Sequence, residues 1–361
     1  IQGINGQVTP NLGRRNLIIN GAMQVAQRGT SFSGLGTGTS YQLDRWQFNE
    51  AGTSDARFTV TQSTDAPAGF SNSYKVDVTT ADTGLAATEA HRIRQRFEGQ
   101  NLQHLKFGTS SAVKLTLSFW VKSNKTGQYS CMLYNQDAST ARKNFKGYTI
   151  DSADTWEFKS ITFEADTNSD ATFDNDNASS FIAWWNLSAG SDLTTTEPSS
   201  WVTTATVEAV TNQVNLSDST SNDWYITGVQ LEVGDTATPF EHRSFGEELS
   251  LCQRYYIRRT TPNQNDYPGS VMGWASTSGT QQFIVQFEQQ MRVSPTFSFS
   301  GDFRLQSNSD SAASTGLGAA NISTIACRLP LGSSAYTGDQ GAGGVLQGRT
   351  AGGYIAFDSE L

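Results

Sequence analysis

The chain has 361 residues, enough for two domains with separate cores. Its formal net charge is -9, charged residues make up only 16 %, and no lysine follows Lys159; phosphate binding needs clustered Lys or Arg, so nucleic acid is not expected as a partner. Gly, Ser, Thr, Asn and Asp stand where charges would otherwise be, the composition of a turn-rich β protein.

Residues 1–15 are polar and turn-rich and read as an extended lead-in. The chain opens on Ile1 rather than Met, as a processed product does. The first thirty residues lack the apolar core of a signal peptide, and no apolar run reaches transmembrane length, so membrane insertion is not expected. Asn16 to Gly21 is the first buried segment, Arg28 to Ser40 is a loop, and Tyr41 to Trp46 opens a strand. Further strands are predicted at 56–63, 73–80 and 90–98. The clearest runs from Ala112 to Lys122, where Val113, Leu115, Leu117, Phe119 and Val121 alternate with Lys114, Thr116, Ser118, Trp120 and Lys122. Strands at 128–135, 145–150, 156–164, 180–187 and 223–233 complete a jelly-roll β-sandwich spanning 16–243.

In the last of these strands Val229, Leu231 and Val233 share one side. Gly234-Asp235 breaks it, Thr238-Pro239 keeps the chain extended, and Phe240 is placed to anchor the crossing to the core. A linking helix is predicted over 244–260. Ser244 and Glu247 have capping-box spacing, Phe245, Leu249, Cys252 and Tyr256 share a face, and Arg258 and Arg259 close its last turn. Residues 261–361 form a second, smaller β domain, with alternation at Phe283, Val285 and Phe287, at Phe297 and Phe299, and through Tyr354 to Phe357. The fold class is therefore all-β.

Local chemistry is sparse. Cys131, Cys252 and Cys327 include no CxxC pair and read as buried free thiols, without zinc or redox function. His91, His104 and His242 lie on separate segments, and no GxSxG, HExxH or P-loop occurs, so no enzyme is expected. A polysaccharide depolymerase is the enzymatic alternative, because its paired carboxylates leave no local signature. Asp166 to Asn177 is the one acidic cluster that could hold calcium. It departs from the EF-hand pattern at Ala178 and Ser179 and reads as a solvated loop, so no cofactor is expected.

Arg92, Arg94 and Arg96 fall on one side of a strand. Ion pairs with carboxylates on neighbouring strands are the ordinary reading, and an anion-binding row for an acidic or sulfated glycan the sharper one. Trp120, Tyr134 and Trp184 stand on polar strand faces and are the candidate glycan-binding residues, since sugar C–H surfaces stack on aromatic rings. Loops or another subunit could equally cover these rings, and of Trp184 and Trp185, on opposite faces, one belongs in the core.

Several stretches resemble phage tail-fibre and related virion proteins of the marine-phage type. Asn16 to Gly29 (NLIINGAMQVAQRG), Tyr41 to Trp46 (YQLDRW), Ile226 to Gly234 (ITGVQLEVG), Thr238 to Glu241 (TPFE) and Leu251 to Tyr256 (LCQRYY) carry the resemblance. Met291 to Thr296 and Ile355 to Leu361 are similar to the C-terminal domain of that group, and Leu117 to Ser123 (LSFWVKS) to the inner strand of carbohydrate-binding jelly rolls. The resemblance implies a virion appendage outside the cell, a homotrimer, joined to other virion proteins through the lead-in and binding a host-surface glycan or receptor. A head fibre, decoration or scaffold protein without a receptor role is the structural alternative.

Overall fold

A computed structural model describes residues 14–203, 206–269, 271–277, 280–306, 313–314, 316–332, 341 and 343–361. The expected lead-in, apart from Arg14 and Arg15, lies outside the described residues. The described chain is all-β with one α-helix and forms two compact units, residues 1–248 with Leu361, and residues 249–360.

The first unit contains strands β1 (Ser31–Leu35), β2 (Thr39–Tyr41), β3 (Gln47–Ala51), β4 (Arg57–Ser63), β5 (Ser73–Thr80), β6 (Ala90–Glu98) and β7 (Leu115–Ser123). It continues with β8 (Gly127–Asn135), β9 (Arg142–Ile150), β10 (Glu157–Phe163), β11 (Ser179–Ala189), the short β12 (Thr194–Thr195) and β13 (Ala209–Val210), and β14 (Asp223–Val233). Two six-stranded antiparallel sheets form, β1-β4-β5-β14-β7-β10 and β2-β3-β6-β11-β8-β9. Within them β5-β14-β7-β10 and β6-β11-β8-β9 have jelly-roll order: consecutive strands from β5 to β11 alternate between the sheets, except β8 and β9, which pair as neighbours in one sheet, and β14 returns between β5 and β7. Inward residues of both sheets build one core, with Phe58, Val76, Leu117, Phe119, Ile226 and Leu231 from the first and Phe48, Ile93, Cys131, Leu133, Ala183 and Trp185 from the second.

Strict alternation does not survive β14. Trp224 and Ile226 are in the core, but so are Val229 and Leu231, an odd step later. The register shifts between Thr227 and Gln230, and Gly228 at φ +60° supplies the bulge that reverses the phase. Val233, expected on the core side, is 43 % exposed at the last position of the strand. Asn16 to Gly21 is stitched to this bulge without being a strand. Leu17 N–H donates to Leu231 O at 2.9 Å, Val229 N–H donates to Gly21 O at 3.0 Å, and Asn16 Oδ1 accepts from Leu231 N–H at 3.0 Å. A Cβ on Gly21 would sit 2.2 Å from Val229 O, so this approach requires glycine.

Three local expectations change. The loop expected from Arg28 to Ser40 contains β1 and most of β2. The strand expected at Tyr41 to Trp46 ends at Tyr41; Leu43 to Arg45 make a turn, with Arg45 at φ +72°. That turn delivers Trp46 into the core, where its indole N–H donates to Asn20 O at 3.0 Å. Phe240 is only half-buried and packs against Phe70 and His242 instead of the core.

The helix, α1 (Phe245–Gln253), is shorter than the predicted 244–260. Its capping box forms: Glu247 N–H donates to Ser244 Oγ at 3.3 Å and Ser244 N–H to the Glu247 carboxylate at 2.9 Å. Arg258 and Arg259 do not end it. They lie on β15 (Tyr256–Thr261), which pairs with β24 (Gly353–Asp358), because the run Tyr256-Ile257 gains a sheet partner that a further helical turn would forgo. Phe245, expected on the buried helix face, is 57 % exposed, whereas Cys252 is fully buried.

The second unit adds β16 (Met272–Thr277), β17 (Thr280–Gln286), β18 (Thr296–Ser300), β19 (Phe303–Gln306), β20 (Ala313–Ser314), β21 (Gly316–Leu317), β22 (Ala326–Gly332) and β23 (Gly343–Gly348). They form a three-stranded sheet, β15-β24-β18, and a seven-stranded one, β20-β19-β23-β16-β17-β22-β21. Phe283, Val285, Phe303, Leu329, Ile355 and Phe357 are in its core. The three cysteines are buried free thiols, and burial pushes the Cys131 thiol well up in pKa.

One buried group makes the sandwich acid-sensitive. His91 is fully buried with its ring 4.7 Å from Phe58, and neither ring nitrogen has a hydrogen-bond partner among the described residues. Burial pulls its pKa down to about 4, opposed by Asp82 and reinforced by Arg92 and Arg57. The unfolded imidazole titrates at about 6.5, so between about 6.5 and 4 the unfolded state binds the extra proton. Stability from neutral His91 is full above that window and is lost as pH falls through it, by on the order of 3 kcal/mol. Urea midpoints at pH 7.5 and 4.5 should show this loss, and His91→Gln should show a smaller one. Equal acid losses in both proteins would remove His91 as the cause.

Candidate functional site

The outer face of the second sheet is built from residues that alternate with the core set. Register places Gln47, Arg94, Trp184, Met132 and Phe145 in one row across β3, β6, β11, β8 and β9. The adjacent rows are Arg96, Ile182, Tyr134 and Lys143, and Asn49, Arg92, Asn186, Ser130 and Gly147. Val202, Val207 and Val210, from the connection that follows β12, lie over part of this face. Val202 pairs with the Lys143 backbone at 2.8 Å, Val210 N–H donates to Ser130 Oγ at 2.9 Å, and Val202, Val207 and Val210 pack on Met132, Phe145, Ile182 and Trp184.

This cover decides what each predicted residue can do. Trp184 is only 4 % exposed and packs beneath Val202, Val207 and Val210. Tyr134 is half-buried at the edge of the cover, with Trp184 packed behind it at 5.8 Å and Lys143 Nζ 5.4 Å from its ring centre. Trp120 is elsewhere. It lies on β7 in the first sheet, half-buried, 5.4 Å from Phe158, which is 48 % exposed. The structure therefore brings Tyr134 and Trp184 together and leaves Trp120 on a different surface.

The arginines of β6 are on the same face as Tyr134. Arg92 donates to Asn49 Oδ1 at 3.0 Å, pairs with the Glu208 carboxylate at 2.5 Å, and lies 5.0 Å over the Trp184 ring. Arg94 uses its Nε on the Gln47 amide oxygen, and Arg96 donates to Ser179 Oγ at 3.1 Å. Among the described residues the expected carboxylate partner exists for Arg92 alone, and it comes from a connecting segment rather than a neighbouring strand. Burial first, and then the like charges of Arg96 and Arg92, bring Arg94 down to about 9, still a cation at neutral pH. Glu208 is raised by its own burial against the pull of Arg92 and Lys143. Gln47, Asn49 and Glu208 carried no sequence signal, because only the sheet register and a long-range crossing bring them to the arginines.

The acidic stretch 166–177 is engaged in local structure. Asp166 is 2 % exposed and holds Arg142 in a bidentate pair, Asp170 accepts from Ser139 Oγ at 2.9 Å, and Asp176 accepts from Ala178 N–H at 2.9 Å. Among the described residues no group of three or more His, Cys, Asp or Glu side chains is arranged to hold a metal, and no helix is long and apolar enough to cross a membrane. In the second unit Met272, Trp274 and Ile284 expose apolar surface, at 70 %, 41 % and 41 %.

No protein-family model matches the chain, and no curated protein does. Among solved structures it is similar to the enzymatically active domain of tailspike protein 4 of bacteriophage CBA120, at 14 % identity and TM-score 0.32, over 61 % of this chain and 22 % of that one. It is similar to a family 4 carbohydrate-binding module at 11 % identity and TM-score 0.28, over 60 % and 98 %. A family 11 carbohydrate-binding module of the Clostridium thermocellum cellulase Lic26A-Cel5E matches at 11 % identity and TM-score 0.29, over 55 % and 91 %. The chain thus spans about a fifth of the tailspike domain, 22 %.

Proposed function

We propose that the N-terminal sandwich is a non-enzymatic glycan-binding module on a virion appendage that contributes to host attachment. The observation that carries the glycan reading is the outer face of the second sheet. Tyr134 is half-buried with Trp184 packed behind it, and the amide of Gln47 and the guanidinium groups of Arg94 and Arg96 stand in the same rows. A sugar needs both kinds of group: an aromatic surface for its C–H face and planar polar side chains for its hydroxyls.

The virion part rests on the resemblance of the segments between Asn16 and Tyr256 to tail-fibre proteins. A homotrimer suits a chain whose three thiols are free, since subunit association can supply the durability that disulfides otherwise give. The apolar surface at Met272, Trp274 and Ile284 is of the kind that a neighbouring subunit covers.

A second reading, a decoration or scaffold protein without a receptor role, draws on Trp120 and the exposed Phe158. Two apolar rings this close suit a protein contact better than a sugar.

Glycan-array and host-cell binding by the whole chain separates the readings. Tyr134→Ala should weaken glycan binding roughly tenfold, as loss of an aromatic anchor does, while Trp120→Ala stays near wild type. A wild-type protein that binds neither glycans nor cells rejects the attachment reading, and a monomer mass by light scattering rejects the trimer.

A further inference from the structure

The three arginines of β6 are not equally served. Arg92 has a carboxylate, an amide oxygen and an indole face. Arg94, 9 % exposed, has one hydrogen-bond partner among the described residues, the neutral Gln47, and that partner takes its Nε. Its two terminal nitrogens have no partner among the described residues. Arg96 has the hydroxyl of Ser179, and its Nε is buried without a partner among the described residues. No described carboxylate pairs with Arg94 or Arg96.

Arg94 and Arg96 are two residues apart on one strand face, a spacing of about 6.6 Å. Burying a guanidinium is unfavourable unless an anion or several acceptors satisfy it, and placing like charges beside it adds to the penalty. Here the fold sets two such groups side by side, and Arg92 beyond them already holds the one nearby carboxylate. A ligand anion would meet guanidinium groups already partly desolvated by folding, with terminal nitrogens available for a bidentate contact.

We propose that Arg94 and Arg96 form an anion subsite on this face, and that the ligand is an acidic glycan whose carboxylate or sulfate oxygens they bind. This rests on the glycan reading of the same face and narrows it to a substrate class. Tyr134, one row-mate of Arg96 across β11, would carry the ring of the sugar that bears or adjoins the charged group. Gln47 engages Arg94 through its Nε alone, so the terminal nitrogens are not used by that contact.

The experiment titrates the whole chain with a neutral glucan, a polyuronate and a sulfated galactan, by calorimetry at 50 and 300 mM salt. Arg94→Gln and Arg96→Gln are compared with Lys114→Gln, which makes the same charge change at an exposed site paired with Glu164. At least one acidic polymer should bind more tightly than the neutral glucan and weaken with salt. Each arginine variant should lose roughly 10- to 100-fold for it, the range of one charged hydrogen-bonded contact, with Lys114→Gln unchanged. Which polymer responds decides between carboxylate and sulfate. Should Arg94→Gln fail to fold, Arg96→Gln carries the test, since Arg96 is the less buried residue of the two.

Equal binding of neutral and acidic polymers, or arginine variants that bind as wild type, overturns the anion subsite. In that case loss of neutral-glucan binding in Tyr134→Ala would leave the glycan reading standing. Absence of binding to all three polymers by the wild-type chain rejects both.

Discussion

Trp185→Ala should destabilise the sandwich by about 3–5 kcal/mol, the range for removing a fully buried large aromatic side chain. Trp185 is on β11, the strand between β6 and β8, and has no exposed surface. Its ring stands 5.6 Å from Trp46 and 5.7 Å, edge-on, from Phe119, which belongs to the opposite sheet. The side chain therefore spans the space between the two sheets. Backbone pairing on both sides of β11 prevents the sheets from closing over the space it would leave. Seven of the eight tryptophans lie in the first unit, Trp274 being the exception, so urea unfolding followed by tryptophan fluorescence reports mainly on this core. A loss below about 1 kcal/mol would mean that the core collapses around the gap, contrary to its close packing. Trp184→Ala, one residue away on the outer face, is the internal contrast. It removes contacts with Tyr134, Arg92 and the crossing valines without opening the central core.

The pair of neighbouring tryptophans also shows what the amino-acid sequence could and could not disclose. Period-two alternation separates Trp184 from Trp185 and assigns one to the core, because side chains in a strand must alternate. It cannot say that Val202, Val207 and Val210 pack over the other, since that contact depends on a chain excursion with no periodicity of its own. The same reasoning covers the long strands. Their patterning is local, so β4 to β11 are legible within a few residues, whereas the phase reversal at Gly228 is visible only once both sheets constrain β14. The capping box was legible because Ser244 and Glu247 satisfy each other within one turn. The end of α1 was not, because the pairing of Tyr256–Thr261 with Gly353–Asp358 competes with the helix from almost a hundred residues away. On the candidate face the arginine row and Tyr134 could be named from alternation alone. Which arginine acquires a carboxylate depended on Glu208 in a connecting segment, and no spacing rule reaches it.

Asp166→Ala should be the most damaging single change outside the hydrophobic core, with a loss of about 3–5 kcal/mol, as when one partner of a buried ion pair is removed. Asp166 Oδ2 accepts from Arg142 Nε at 2.5 Å, and Oδ1 accepts from Nη2 at 2.9 Å. The two side chains are only 2 % and 11 % exposed. Truncating Asp166 leaves a guanidinium at the start of β9 with water largely excluded and its bidentate partner gone. The same carboxylate also accepts from Asn168 N–H at 3.2 Å, so the turn that begins the acidic stretch would loosen as well. The pair should contribute far less in a comparison that removes both charges together. Arg142→Met combined with Asp166→Leu keeps apolar volume and leaves no buried charge, and should lose much less than the sum of the two single changes. A double-mutant cycle on urea midpoints measures the difference. Additive losses would show that Arg142 and Asp166 are each solvated independently, and that the first carboxylate of this loop is free for another partner after all.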